Sequence, residues 1–356
     1  TLFPYTTLFR SLVLALALIL ALGCMSAFAE EELPESLDIR VLVWKYDDTY
    51  GSTVRAAMEK WAEYYSEEMG IDIQLTMYDA ADDIGKQIEQ ATMVCSQGCD
   101  FVIINLAEVS NGAALTTMFQ EAGIPFLFYN KQPAEATEQE VLVDTGTIFI
   151  GTLARQAGDM QGEILAEMYE ADPSIDLNGD GKLQYVMLMG EPQNDEAIAR
   201  SQYSVETAEA LGLEMEQIGE TLVCNWDQAQ AQDAINALWA AEGDNIEVIF
   251  ANNDMMALGA VAAINGYGYN TGNEGDPSVV VIGVDAIDAA LVSIQDGGMT
   301  ATVKQDGDAM GQANILCAIN GALGRDWLDG TDYTYDENEE FYCIRIPYAK
   351  IGRAHV

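Results

Sequence analysis

Short stretches that are apolar throughout alternate with amphipathic stretches along most of this chain, and that alternation limits its fold more than any other feature. Residues 39–44, 101–105 and 124–129 are largely apolar runs of strand length, and 71–77 reads as a further strand. Between them, residues 53–68 put Val54, Ala57, Met58, Trp61 and Tyr65 on one helical face, and 84–94 and 113–122 read as two further helices. After a polar stretch at 131–140 and the segment 148–151, the theme restarts. Helices at 153–170, 196–211, 227–240 and 254–265 interleave with strands at 185–189, 214–218, 246–250 and 279–284. A strand with no polar alternation must be covered on both faces, which a parallel sheet between two helical layers provides. The sequence therefore predicts an α/β protein of two doubly wound parallel-sheet lobes. Sheets of that kind bind ligands beyond the C-terminal ends of their strands, so polar residues at those ends are candidates for a site.

Those ends carry Lys45 to Tyr50, Asn105, Gly190-Glu191-Pro192, Asn252-Asn253-Asp254 and Asp285. Planar carboxylates and amides dominate, and each makes two directed hydrogen bonds, which suits a polyhydroxylated ligand. Tyr50 and Trp226, near the same edges, offer faces on which the C–H side of a pyranose ring can stack. Taken singly, a polar residue of this kind is more often a helix N-cap or turn former. Their accumulation in both halves favours a site between the lobes.

Charge narrows the ligand further. Fifteen basic residues against 58 acidic ones give a net charge of −43, which repels phosphate backbones and excludes nucleic acid as a partner. His355 is the single histidine, so a His-based triad, a multi-His zinc site and a His general base are also excluded. The apolar run at 12–22 is 11 residues long, too short to span a bilayer and suited to a signal-peptide core. Ala27-Phe28-Ala29 supplies a small-x-small cleavage pattern, with lipidation of Cys24 as the alternative. Residues 1–29 are thus expected to be a signal region, with 1–11 and the tail 351–356 foreign to the fold. Export implies an oxidising compartment, in which Cys95 and Cys99 are close enough in sequence to pair.

The most specific local motif is Asp176-Leu177-Asn178-Gly179-Asp180-Gly181-Lys182-Leu183-Gln184. Side-chain oxygens at alternate positions and Gly at the sixth match a loop that folds around calcium. Lys182 offers its carbonyl at position seven and Gln184 its side chain at position nine. An EF-hand would have a Glu at position twelve, where this chain has Met187, so a carboxylate must come from elsewhere.

Seven segments taken together resemble the galactose/glucose-binding proteins of bacterial sugar ABC transporters. They are WKYDDTY (44–50), IINLAE (103–108), DLNGDGKLQ (176–184), GEPQNDEAIAR (190–200), NWDQAQA (225–231), EVIFANNDMMALGA (247–260) and VIGVDA (281–286). The resemblance runs from about residue 38 to 349. It implies a type I periplasmic-binding-protein fold joined by a three-crossing hinge, with one lobe at 38–149 plus 305–343 and the other at 150–304 plus 344–350. It puts Asp48, Asn105, Arg200, Asn253 and Asp285 on sugar hydroxyls, and Tyr50 and Trp226 on the two sugar faces. Four positions depart from the pattern, the first being Tyr50, where a Phe is usual. Asn194 and Glu196 stand where a His and an Asp are usual, and Gln305 where an Asn is usual, so the resemblance supports a pyranose more firmly than galactose or glucose in particular. For a structural calcium it implies Asp176, Asn178, Asp180, Lys182 through its carbonyl, Gln184 and Glu247 as ligands.

The function expected is that of a non-enzymatic, extracytoplasmic, monomeric solute-binding protein. It would close on a monosaccharide and deliver it to the membrane permease of an ABC transporter, and a chemoreceptor could read the same closed form. The rival is a carbohydrate-active hydrolase using Asp48, Glu196 and Asp285.

Overall fold

In a computed structural model of the chain, which describes residues 33–353, the apolar segments pair into two sheets. The first holds β1 (Ser36–Val43), β2 (Asp72–Asp79), β3 (Phe101–Ile104), β4 (Phe126–Tyr129), β5 (Ile148–Gly151) and β12 (Tyr342–Arg345), in the order β12-β5-β4-β3-β1-β2. The second holds β6 (Leu183–Met189), β7 (Met215–Gln217), β9 (Val248–Ala251), β10 (Val280–Asp285), β11 (Ala301–Gln305) and β13 (Tyr348–Gly352), in the order β13-β11-β10-β9-β6-β7, with β8 (Leu222–Val223) beside β6. The pairings β1–β3, β3–β4, β4–β5, β5–β12, β6–β7, β6–β8, β6–β9, β9–β10 and β10–β11 are parallel, and β11 pairs antiparallel with β13. The doubly wound two-lobed architecture read from the sequence is the one observed.

The uninterrupted apolar strands are buried on both faces, as the pattern requires. Ile39 and Val41 of β1 face the helix Thr49–Met69 through Val54 and Met58, while Leu42 faces the helix Ile84–Gln97 through Ala91 and Val94. In the second lobe Val186 and Ile249 lie over Ala231, Ile235, Ala257 and Ala260, with Met187, Phe250 and Ile282 on the opposite face. Burying each of these larger side chains is worth about 1.5–3 kcal/mol. The helices begin at polar caps next to the strand ends: Asp48 accepts from Gly51 N, Asn194 from Glu196 and Ala197 N, and Asn253 from Met256 N.

The chain passes between the sheets after Gly151, after Gln305 and after Arg345, giving three crossings. Their positions correct the expected lobe limits. Ile150, Gly151, Ile344 and Arg345 belong to the first sheet, through the β12–β5 pairing, and Gln305 to the second, through its pairing with Tyr348. The helix Gly307–Ala322, which periodicity alone did not single out, is nearly buried all round, so it has no polar face to give it away. Ile351 and Gly352, expected to be a foreign tail, pair with Thr302 and Ala301 as part of β13. Cys95 and Cys99 are free thiols, directed at different carbonyls, those of Met118 (3.7 Å) and Phe101 (3.6 Å). The expected signal region, Cys24 and His355 lie outside the described residues. Among the described residues no helix is long and apolar enough to cross a membrane.

Candidate functional site

Helix starts and strand ends from both lobes converge on one cavity, with about 440 Å³ of free space including its mouth. From the first lobe come Trp44, Asp48, Tyr50, Asn130 and Lys131; from the second come Asn194, Glu196, Arg200, Trp226, Asn253, Asp285 and Gln305. Three of these, Asp48, Asn194 and Asn253, are also N-caps. Capping and lining are therefore compatible in one residue: the cap fixes the side chain, and the helix N-terminus behind it favours electron-rich oxygen nearby.

Asp48 spends Oδ2 on Gly51 N at 2.5 Å. A Cβ on residue 51 would lie 2.5 Å from that oxygen, so the carboxylate can fold back only over glycine. Burial pushes the Asp48 carboxyl up, against the pull of the Gly51 N–H and of Lys45, Lys131 and Arg55. Asp285 ends β10 on a left-handed backbone, φ 122°. Burial drives its carboxyl well up, opposed by Arg200 and assisted by Asp254 and Asp48. Behind it, Asp254 accepts from Thr302 Oγ1 (2.6 Å) and Ile287 N (3.0 Å), and burial raises its carboxyl to about 7.

Trp226 also has a left-handed backbone, φ 66°, which turns its indole toward the cavity wall. Its ring lies against Gly190, where any Cβ would come within 2.3 Å of ring carbons. Opposite, Tyr50 is buried and its hydroxyl stands 3.5 Å from Met310 Sδ. The cavity thus has an aromatic residue from each lobe.

Arg200 is the main charge in the second lobe's wall and is 3% exposed. Its guanidinium donates to Asn252 O (2.8 Å), Gln305 Oε1 (3.0 Å) and the Tyr348 hydroxyl (2.8 Å), and lies 2.9 Å from Glu196 Oε2. Burial opposes its charge, but Tyr348, Glu196 and Asp285 more than offset this, so it stays protonated above the usual range. Glu196 also accepts from Thr152 Oγ1 (2.5 Å) and the Tyr348 hydroxyl (2.9 Å). Across the cavity mouth Lys131, only 5% exposed, places Nζ 3.5 Å from the Trp44 ring centroid and 3.0 Å from Glu191 Oε2 of the other lobe. Burial lowers its ammonium, and Glu191 draws it back up.

Of the site residues expected from sequence, Asn105 alone does not line the cavity. It sits at the end of β3, its carbonyl accepting from Gln87 Nε2 (2.8 Å) and its Oδ1 buried without a partner. The lining position is taken by Asn130, at the end of the neighbouring β4, with φ 62° and its Oδ1 3.4 Å from Gln305 Nε2. The same strand-end rule would have found it, but Asn130 falls between the strand read at 124–129 and the polar stretch read at 131–140. Tyr348 was missed because its strand pairs antiparallel at a sheet edge and carries no strong apolar run.

The loop 176–184 lies apart from this cavity. Asp176 accepts from Gly179 and Gly181 N, Asn178 Oδ1 from Asp180 N, and Asp180 Oδ1 from Lys182 N. Asn178 and Gln184 join by their amides at 3.0 Å, and Gln184 Nε2 donates to Asp180 Oδ2. Glu247, 1% exposed, reaches in from the start of β9 and accepts from Leu177, Asn178 and Gln184 N at 2.6–3.1 Å. Burial raises its carboxyl against those three N–H groups. Lys182 points its ammonium away, to Glu216 at 3.0 Å. Among the described residues no three His, Cys, Asp or Glu side chains are grouped so as to hold a metal by themselves, so any cation here would rely on the amide and carbonyl oxygens as well.

Two Rossmann-like lobes, three crossings and a polar cavity shut between strand ends define a two-lobed binding protein, and the comparisons agree. The periplasmic binding protein domain matches residues 39–325, and the chain belongs to that family. Within it, the chain is 31% identical over 339 residues to the D-galactose/methyl-galactoside binding periplasmic protein MglB of Haemophilus influenzae, covering 95% of both. It is 24% identical over 257 residues to the ribose import binding protein RbsB of Bacillus subtilis, covering 72% of this chain and 73% of that one. Among solved structures, an ABC transporter solute binding protein of Bacillus halodurans with bound myo-inositol superposes with a TM-score of 0.70 at 23% identity, covering 92% of this chain and 97% of that one. A periplasmic solute binding protein of Actinobacillus succinogenes with bound D-allose gives 0.71 at 19%, covering 90% and 98%.

Proposed function

We propose that this chain is an extracytoplasmic solute-binding protein that captures a galactose- or glucose-like pyranose between its lobes and delivers it to an ABC permease. The observation that carries this reading is the pairing of Asp48 and Asp285, from opposite lobes, on one cavity: among the described residues Asp285 makes no side-chain hydrogen bond, and Asp48 makes one through a single oxygen. A polyhydroxylated ring satisfies such groups by donating two hydroxyls to each carboxylate. Trp226 and Tyr50 then supply the apolar contact that such rings need. The same closed form is what a chemoreceptor would read, and an isologous partner is not required by the site, which one chain completes.

Galactose or glucose is favoured over other pyranoses by the likeness to MglB over nearly the whole chain. Asn194 and Glu196 leave that choice to experiment. Glu196 counts against a hydrolase: Arg200, Thr152 and Tyr348 hold its carboxylate, which leaves it poorly placed to attack or to protonate a glycosidic bond.

The donor set around 176–184 suits a hard cation, and we read it as a structural calcium site. Asp176, Asn178, Asp180, the Lys182 carbonyl, Gln184 and Glu247 are all oxygen donors, and Glu247 is a buried carboxylate with no cationic side chain bonded to it. Calcium there would neutralise the Asp176–Glu247 repulsion and tie the loop to β9.

A thermal-shift panel of monosaccharides, run with calcium and again with EDTA, tests both readings. Galactose or glucose is expected to raise the melting temperature in both series, and calcium to raise it without sugar. No shift with any pyranose would overturn the sugar reading, and no calcium effect the metal reading.

A further inference from the structure

All three crossings between the lobes deliver one polar side chain to the same ion pair. Thr152 is the first residue of the first crossing, Gln305 the last before the second, and Tyr348 the first after the third. Gln305 accepts from Arg200, Thr152 donates to Glu196, and Tyr348 bonds both. The Thr152 and Tyr348 hydroxyl oxygens lie 2.9 Å apart, side by side on the Glu196 carboxylate that takes both their protons. Thr152, Gln305, Tyr348 and Arg200 are each 5% exposed or less, so water does not compete for these bonds. Arg200 and Glu196 meanwhile line the sugar cavity.

We infer that Tyr348 and Thr152 are positioning residues that make the Glu196–Arg200 pair report sugar occupancy to the hinge, and that Glu at 196 is matched in length to them. This rests on the sugar-binding reading. A hinge moves by rotating a few backbone bonds at its crossings. A ligand that fixes Arg200 and Glu196 fixes, through them, side chains on all three crossings at once. Sugar binding then favours the conformation in which this network is complete, and a ligand shifts such an equilibrium only by its differential affinity for the two forms. An Asp at 196 is one methylene shorter and would not span from the helix Asp195–Ala210 to both hydroxyls.

The test uses the full chain with one spin label in each lobe, read with and without the best sugar from the panel. Tyr348→Phe and Thr152→Val each remove one hydroxyl at nearly constant shape. Each is expected to weaken the sugar about tenfold, the usual scale for a hydrogen bond to a charged group, and to leave a larger open fraction at saturation. Their ligand-free melting temperatures should stay near the parent's. Glu196→Asp should do the same, and Tyr348→Phe with Glu196→Asp should be little worse than either alone, because the two act as one unit. Multiplying losses in the double variant, or unchanged affinity and lobe separation in both hydroxyl variants, would overturn the inference. A parent protein that binds no pyranose would instead remove the sugar reading on which it stands.

Discussion

The cleft and the loop at 176–184 are both built from acids and amides, yet they dispose of them in opposite ways. In the loop nearly every side-chain oxygen is already taken by an N–H of the loop itself, so the turn holds its shape through its own bonds. In the cleft Asp48 and Asp285 are fixed by capping and backbone conformation, and apart from Asp48 Oδ2 on Gly51 N their oxygens take no protein donor among the described residues. An acid whose partners are local holds the loop's shape even before its remaining lone pairs take a cation; an acid that is fixed in place without protein partners is set for a ligand. Composition alone cannot separate the two, since an acid in either region counts alike toward a charge of −43.

The sharpest way to break that contrast is to remove the cleft's aromatic wall. Trp226→Ala should weaken sugar binding by about 1–3 kcal/mol in calorimetry while leaving any calcium-dependent rise in melting temperature untouched. Unchanged affinity would take Trp226 out of the site. Next in size is the loop. Glu247→Gln replaces one accepting oxygen with an N–H₂ that faces a backbone donor, so it should cost about 1 kcal/mol even in EDTA. The loss in urea unfolding should grow when calcium is added, since a ligand stabilises only the state that binds it. An equal loss in both conditions would make Glu247 a plain structural cap. The third test concerns the acid behind the cleft. Asp254, at about 7, lies above an ordinary unfolded carboxyl, so the folded state keeps a proton that the unfolded chain gives up. Its contribution to stability is full below about pH 4 and is lost as the pH rises through about 7. The drop in urea midpoint between pH 5 and pH 8 should therefore be smaller in Asp254→Asn, and an identical drop would mean that Asp254 ionises normally.

Much of this was legible in sequence where one physical rule acted alone. Strands buried on both faces have no choice but to be apolar, which is why β1, β3, β9 and β10 stood out. Strand-end polar residues followed, and with them Asp48, Asn253 and Asp285. Asn105 and Asn130 both follow strand ends, one strand apart, and only the folded sheet decides which of them faces the other lobe. Gln305, Thr152 and Tyr348 meet Arg200 across sequence separations of 105, 44 to Glu196, and 148. Contacts that distant leave no local periodicity. The edge pairing of β13 is equally silent, because an antiparallel edge strand needs little apolar content.

The two last strands, β12 and β13, have a consequence for how the molecule forms. Only Ile346 and Pro347 separate them, yet β12 completes the first sheet beside β5 and β13 the second beside β11. During synthesis, neither sheet can gain its outer strand until nearly all of the described chain has emerged. The β12–β5 pairing joins residues almost two hundred positions apart, and closing loops of that length slows folding. Late completion of both halves keeps the nascent chain unfinished for longer, which fits the extracytoplasmic role proposed above.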